Sequence, residues 1–280
     1  MSVVPGRPTA KPVSSKIMGG AAFFDLDKTV IAKSSTLAFG RPFYQGGLVN
    51  RRAVLKSTYA QFVYLIAGAD ADDMDRMRDY LKALCTGWDV AQVRAIVDET
   101  LHDLIDPLVY DEAVSLIEEH RAAGRRVVIV SSSGEEVVRP IGEMVGADDV
   151  VATRMVVADG KYTGEIEFYS YGPHKAAAIR DLAERHGWDL ADCFAYSDSV
   201  TDLPMLEEVG HPFAVNPDKA LRRIATEREW PILEFRRPVS LASRLDSVPR
   251  PSRPVMATAA VGVGAAALGW RLYAKHRRGG

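Results

Sequence analysis

Cysteine is scarce: Cys85 and Cys193 are the two in 280 residues, far apart and outside any Cys-x-x-Cys or Cys/His cluster. A disulfide framework and a zinc site are thereby excluded, and a reducing, cytosolic setting is expected. Residues 1–19 lack the apolar run of a secretory leader; Pro5, Pro8 and Pro12 stand among small and basic residues and read as a disordered arm. Net positive charge is missing from the body of the chain. Residues 20–235 hold 23 basic against 36 acidic residues, a balance of −13, whereas residues 236–280 hold nine basic residues and only Asp246. An acidic body excludes a nucleic-acid groove there; the basic tail either meets anionic lipid or is simply solvated.

With 47% hydrophobic and 26% charged residues, the chain can bury one large core, or a core and a small accessory domain. Ala21-Ala22-Phe23-Phe24 reads as a buried strand that delivers Asp25-Leu26-Asp27 at its carboxyl end, where open α/β sheets bind ligands. Strand signals are then nearly absent from Thr36 to about Ile105, where helical periods dominate, so residues 36–105 are expected to form a helical insertion. Beyond it, helix and strand alternate. Asp111–Ala123 is a helix ended by Gly124, and Val127–Val130 is a strand running into Ser131-Ser132-Ser133. Asp149–Ile166 resembles a hairpin broken at Asp159-Gly160, and a helix covers about 174–185. Cys193–Tyr196 is a strand ending in Ser197-Asp198, a helix spans about 201–208, and Pro212–Val215 is expected as the last strand. That order predicts an α/β fold with a mostly parallel sheet, closing near Phe235.

Asp25 and Asp27, two apart at a strand end, leave the backbone on the same side and can converge on one ligand. Paired carboxylates repel unless a proton or cation neutralises them, and a hard divalent ion such as Mg²⁺ suits oxygen ligands. Three further positions carry residue types that handle phosphate. Ser131 can donate its hydroxyl to a phosphoryl oxygen, Lys175 after Gly172-Pro173 can neutralise phosphate charge, and Asp198 supplies another carboxylate, with Asp202 four residues on. Singly, each has a plain alternative as a helix cap or a solvated charge. Together they point to one phosphate site.

These residues resemble the haloacid dehalogenase superfamily, in its phosphoserine-phosphatase-like branch. The matching motifs are Asp25-Leu26-Asp27-Lys28-Thr29-Val30, Ser131 after an apolar strand, Lys175, and Ser197-Asp198-Ser199-Val200-Thr201-Asp202, followed by Leu203–Leu206, Val209–Pro212 and Val215–Asp218. The resemblance spans about 20–235. It implies a Rossmann-like core at 20–35 and 106–235 with residues 36–105 as a cap, and a Mg²⁺-dependent phosphomonoesterase. In that scheme Asp25 attacks phosphorus and Asp27 is the general acid and base. Ser131 and Lys175 hold phosphoryl oxygens, the metal sits on Asp25, Asp27 through its carbonyl, and Asp198, and Asp202 and Thr201 support them. Ser34 stands where phosphoserine phosphatases carry a glutamate, Ser197 where a glycine is usual and Thr201 where an asparagine is. The substrate is therefore a small or lipid-linked phosphate monoester, the latter suggested by Phe43, Tyr44, Tyr59, Phe62 and Tyr64 in the cap. Phosphoserine phosphatase proper, a phospho-acceptor switch, and a membrane-tethered phosphate-binding protein with little turnover are the alternatives. Residues 236–253, rich in Pro, Arg and Ser, read as a linker. Residues 254–275 form an expected C-terminal apolar helix that either lies in or spans the cytoplasmic membrane, or packs on protein.

Overall fold

The computed structural model describes residues 20–48, 79, 82–236 and 238. Its frame is a seven-stranded sheet: β1 (Ala21–Phe24), β2 (Arg126–Gly134), β3 (Asp149–Ala158), β4 (Lys161–Phe168), β5 (Phe194–Ser197), β6 (His211–Val215) and β7 (Ile232–Leu233). The order is β4-β3-β2-β1-β5-β6-β7, and only the β3–β4 hairpin is antiparallel. Burial on both faces explains the unbroken apolar runs. In β1, Ala22 and Phe24 point into one core and Ala21 and Phe23 into the other.

Helices cover the two faces. The first core takes in residues of α1 (Ser35–Ala38), α2 (Gly40–Gln45), α3 (Val90–Ile105), α4 (Asp111–Ala122) and α5 (Glu135–Val145). The second takes in α6 (Pro173–His186), α7 (Leu203–Glu207) and α8 (Lys219–Glu227). α3 owes its face to Val90, Val93, Val97, Leu101 and Ile105, buried at spacings of three and four. Asp89 caps it by accepting from the Gln92 amide at 2.9 Å.

The described part of the insertion at 36–105 is helical, as expected, but its return segment is tied to the hairpin. Gly87 N–H donates to the Tyr162 carbonyl, Tyr162 N–H to Trp88, and Val90 N–H to Gly160, at 2.8, 3.0 and 2.9 Å. Two elements were not foreseen. α5 follows the serine run, and β7 adds a strand beyond β6, so Pro212–Val215 is not the last. β7 is two residues long, too short for a periodic signal. Phe235, 7% exposed, packs into the first core. The predicted helix at 254–275, the arm at 1–19 and Tyr59, Phe62 and Tyr64 lie outside the described residues. No helix among the described residues is long and apolar enough to cross a membrane.

Candidate active site

β2, β1 and β5 are neighbours, so their carboxyl ends bring Ser131, Asp25 and Asp198 to one edge of the sheet. Asp25 follows β1 and is pinned by its own N–H donating to the Tyr196 carbonyl at 2.9 Å. The chain then turns through Lys28, a non-glycine residue with φ of 64°, and the amides of Val30 and Ile31 donate back to the Leu26 carbonyl. Lys175 reaches the same place from the first turn of α6. Gly172 makes this entry, with φ 52° and ψ −123°, a conformation essentially reserved for glycine.

Lys175 is 2% exposed and donates to Asp25 Oδ1 at 2.7 Å and to Asp202 Oδ2 at 2.8 Å. Asp202 Oδ2 also accepts from the Ser197 hydroxyl at 2.7 Å. Burial alone would push the Lys175 ammonium down; Asp202 and Asp25 outweigh it and hold the pKa above its ordinary value. Asp25 is pushed up to about 7, by burial first, with Lys175 pulling against it and Asp202 adding to it. Asp198 is pushed up to about 8 by burial and then by the charge of Asp25. The Lys28 ammonium lies 3.9 Å from Asp198 Oδ2. Asp198 is placed from the other side by Asp218, whose amide donates to the Asp198 carbonyl at 2.7 Å. The Asp218 carboxylate also accepts from the Val200 and Leu221 amides, at 2.9 and 2.8 Å.

Asp27 is held differently. Its Oδ1 accepts from the Ser35 amide at 2.7 Å and its Oδ2 from the Ser133 hydroxyl at 3.3 Å. Burial raises its pKa, and these two neighbours work against the rise. Ser131 is 1% exposed, and its Oγ accepts from the Ser133 amide at 3.2 Å.

The expected residues therefore do not all converge in one way. Asp25, Lys175 and Asp202 form one network and Asp198 lies in electrostatic contact with it, whereas the Thr201 hydroxyl donates to Ser199 Oγ at 3.1 Å. Among the described residues no group of three acidic, histidine or cysteine side chains is arranged to hold a metal. A metal at Asp25 and Asp198 would have to complete its shell with main-chain carbonyls and water. The donors fit a hard cation all the same. They are all oxygen, and two buried carboxylates with raised pKa values carry charge that a divalent ion would compensate. Ser35 and Ser133 are site residues that motif spacing did not single out, and Ser197 and Asp218, which lie in the matching stretches, were given no role there. For Ser133 the signal was present, because residues 131 and 133 of one strand share a face.

Residues 22–207 match the family model of the haloacid dehalogenase-like hydrolases. The chain belongs to that family. Relatives along most of its length include the "Inhibition of morphological differentiation protein" of Streptomyces azureus, 66% identical over 92% of this chain and 94% of the relative. A probable phosphatase of Mycobacterium tuberculosis is 61% identical over 92% of this chain and 89% of its own. A phosphoserine phosphatase of the same organism is 35% identical over 77% and 71%. The chain is thus a phosphatase-type hydrolase of the phosphoserine-phosphatase-like branch.

Proposed function

We propose that this hydrolase cleaves small phosphate monoesters with Mg²⁺, through a covalent phosphate on Asp25. The observation that carries the reading is the unequal treatment of two carboxylates at one strand end. Asp25 is paired with a buried ammonium, while Asp27 is held by an amide and a hydroxyl. Burial raises both pKa values, but only Asp25 has an ammonium bonded to it that pulls its pKa back, so near pH 7 it can lose its proton and attack. A carboxylate buried among neutral donors, with its pKa raised, can carry a proton.

In this scheme Asp25 Oδ forms the bond to phosphorus as the ester P–O bond breaks. The departing oxygen keeps the electron pair and takes the proton of Asp27. Asp27, now ionised, removes a proton from water, which attacks the aspartyl-phosphate and releases inorganic phosphate and Asp25. Lys175 and Ser131 orient phosphoryl oxygens, and Ser197 and Asp202 keep Lys175 in place. When bound, Mg²⁺ supplies positive charge to the transferring group, with Asp25, the Asp27 carbonyl and Asp198 as its holders.

A small ester is favoured over a lipid-linked one because Phe43 is used inside the fold. Its ring lies 5.9 Å from that of Phe39 and 5.6 Å from that of Trp88. Ser34, at the start of α1, offers no carboxylate to an amino group, which disfavours phosphoserine itself. The test is phosphate release from phosphoserine, histidinol phosphate, glycerol, sugar and lysophospholipid phosphates, with and without Mg²⁺, by wild type and Asp25→Asn. Turnover that requires Mg²⁺ and vanishes in Asp25→Asn is expected. Turnover that survives in Asp25→Asn, or that ignores Mg²⁺ removal, would overturn the scheme.

A further inference from the structure

Ser133 lies outside the four motifs, yet its hydroxyl is the centre of a small buried network. It donates to Asp27 Oδ2 at 3.3 Å, and it lies 2.9 Å from Ser35 Oγ and 3.1 Å from Thr36 Oγ1. A hydroxyl has one hydrogen to give and two lone pairs to fill. With its hydrogen on Asp27, Ser133 takes the hydrogens of Ser35 and Thr36, and its capacity is complete. Ser133 is 7% exposed and Ser35 fully buried, so water competes little for these bonds. The Ser35 amide holds the other carboxylate oxygen at 2.7 Å. Each oxygen of Asp27 thus has one donor, one from the chain entering the cap and one from the end of β2, which fixes the plane of the carboxyl group.

Resting on the proposed phosphatase chemistry, we infer that Ser133 is a positioning residue that orients Asp27 for proton delivery to the leaving oxygen. Ser35 and Thr36, at the first turn of the cap, set Ser133 in turn. Ser133 itself gains and loses nothing covalently; the proton moves from Asp27 to the ester oxygen. Proton delivery depends steeply on alignment. It matters most for an alkoxide, which is a poor leaving group, and least for a nitrophenolate, which departs as a stable anion.

The measurement is therefore a ratio: kcat/KM for the best alkyl phosphate of the panel divided by kcat/KM for p-nitrophenyl phosphate. This parameter reports steps through formation of the aspartyl-phosphate, before water attacks. In Ser133→Ala the ratio should fall about tenfold, a fraction of the 10²–10⁴ that general acid catalysis contributes. Ser133→Thr, which keeps the hydroxyl, should recover most of it. Thr36→Val, at an exposed position, removes one donor to Ser133 with little change of shape and should lower the ratio about two- to threefold. It carries the test if Ser133→Ala does not fold. An unchanged ratio in Thr36→Val and in folded Ser133→Ala, or equal losses on both substrates, would overturn the proposal by assigning Ser133 to structure alone. Asp27→Asn separates this failure from failure of the underlying scheme. A ratio that stays constant in Asp27→Asn means that Asp27 is not the acid, whereas a collapsed ratio there with no change in the Ser133 variants refutes only the role of Ser133.

Discussion

One ammonium serves two carboxylates at the centre of this site. Lys175 reaches Asp25 and Asp202 at 2.7 and 2.8 Å with almost no exposure to water. Removing one partner of such a cluster leaves buried charge uncompensated, which typically costs about 3–5 kcal/mol. Lys175→Met is expected to lose at least about a hundredfold in phosphate release. Its stability, measured by urea denaturation, should drop more at pH 8 than at pH 5, where the abandoned carboxylates can take up protons. His120 offers a second test, on residues the chemistry does not use. Arg125 Nε donates to its Nδ1 at 2.9 Å, so the ring proton is on Nε2, 2.9 Å from the Tyr196 hydroxyl. Burial, then the charge of Arg125, lowers its pKa to about 4 from 6.5. Between those values the unfolded chain binds a proton that the folded one refuses, so the stability from this residue is present above about pH 6.5 and is lost as pH falls toward 4. Denaturation midpoints of His120→Gln should show a flatter pH slope in that window than those of the wild type. Asp25, Asp27, Lys175 and Asp198 could be read from the sequence because each ends a strand or opens a helix in a recognisable order. Ser197 and Asp218 fell within the matching stretches, but their roles could not be read there: Ser197 reaches Asp202 only through the turn after β5, and Asp218 reaches Val200 only where the loops from β5 and β6 meet.

Among the elements, α6 shows how a backbone conformation places a functional side chain. Its N-cap, Gly172, sits at φ 52° and ψ −123°, and a Cβ there would meet the Thr201 carbonyl oxygen at 3.7 Å, an ordinary contact. The obstacle to substitution is thus torsional rather than steric crowding. Gly172→Ala should cost about 1–3 kcal/mol in stability. It should also reduce phosphate release, since Lys175 lies on the turn that this glycine starts. Equal stability of variant and wild type by thermal melting would refute the argument. The pairing of Gly87–Val90 with the tip of the β3–β4 hairpin is another arrangement that helical periodicity could not reveal. Periodicity reports which face is apolar, not which neighbour covers it.

Over the whole molecule, the two cores flanking the sheet keep the carboxylate-bearing edge rigid, and charge compensation there becomes a property of the fold. Asp25 and Asp198 have folded pKa values of about 7 and 8, above an ordinary value of 3.8. For such groups the stability contribution is complete below about pH 4 and is lost as pH rises through 7 and 8. The metal-free protein should therefore melt at progressively lower temperature from about pH 5 to pH 9. Because a ligand bound only to the folded state stabilises it, Mg²⁺ should raise the melting temperature more at pH 8 than at pH 5. Calorimetry across that range checks both; a Mg²⁺ shift independent of pH would separate the metal from these two carboxylates.

Sequence by itself determined the α/β class, the mostly parallel sheet, the helical character of the insertion where it is described, and the residue types of a phosphate site. These follow from local periods and from which side chains end each strand. Tertiary structure decided the pairing: that Lys175 spans Asp25 and Asp202, that Asp27 rests on Ser35 and Ser133, and that Asp218 braces Asp198. Such contacts join residues from eight to 150 positions apart. Their geometry is set by the order of strands in the sheet and by the torsions of a few loop residues, which no local pattern encodes.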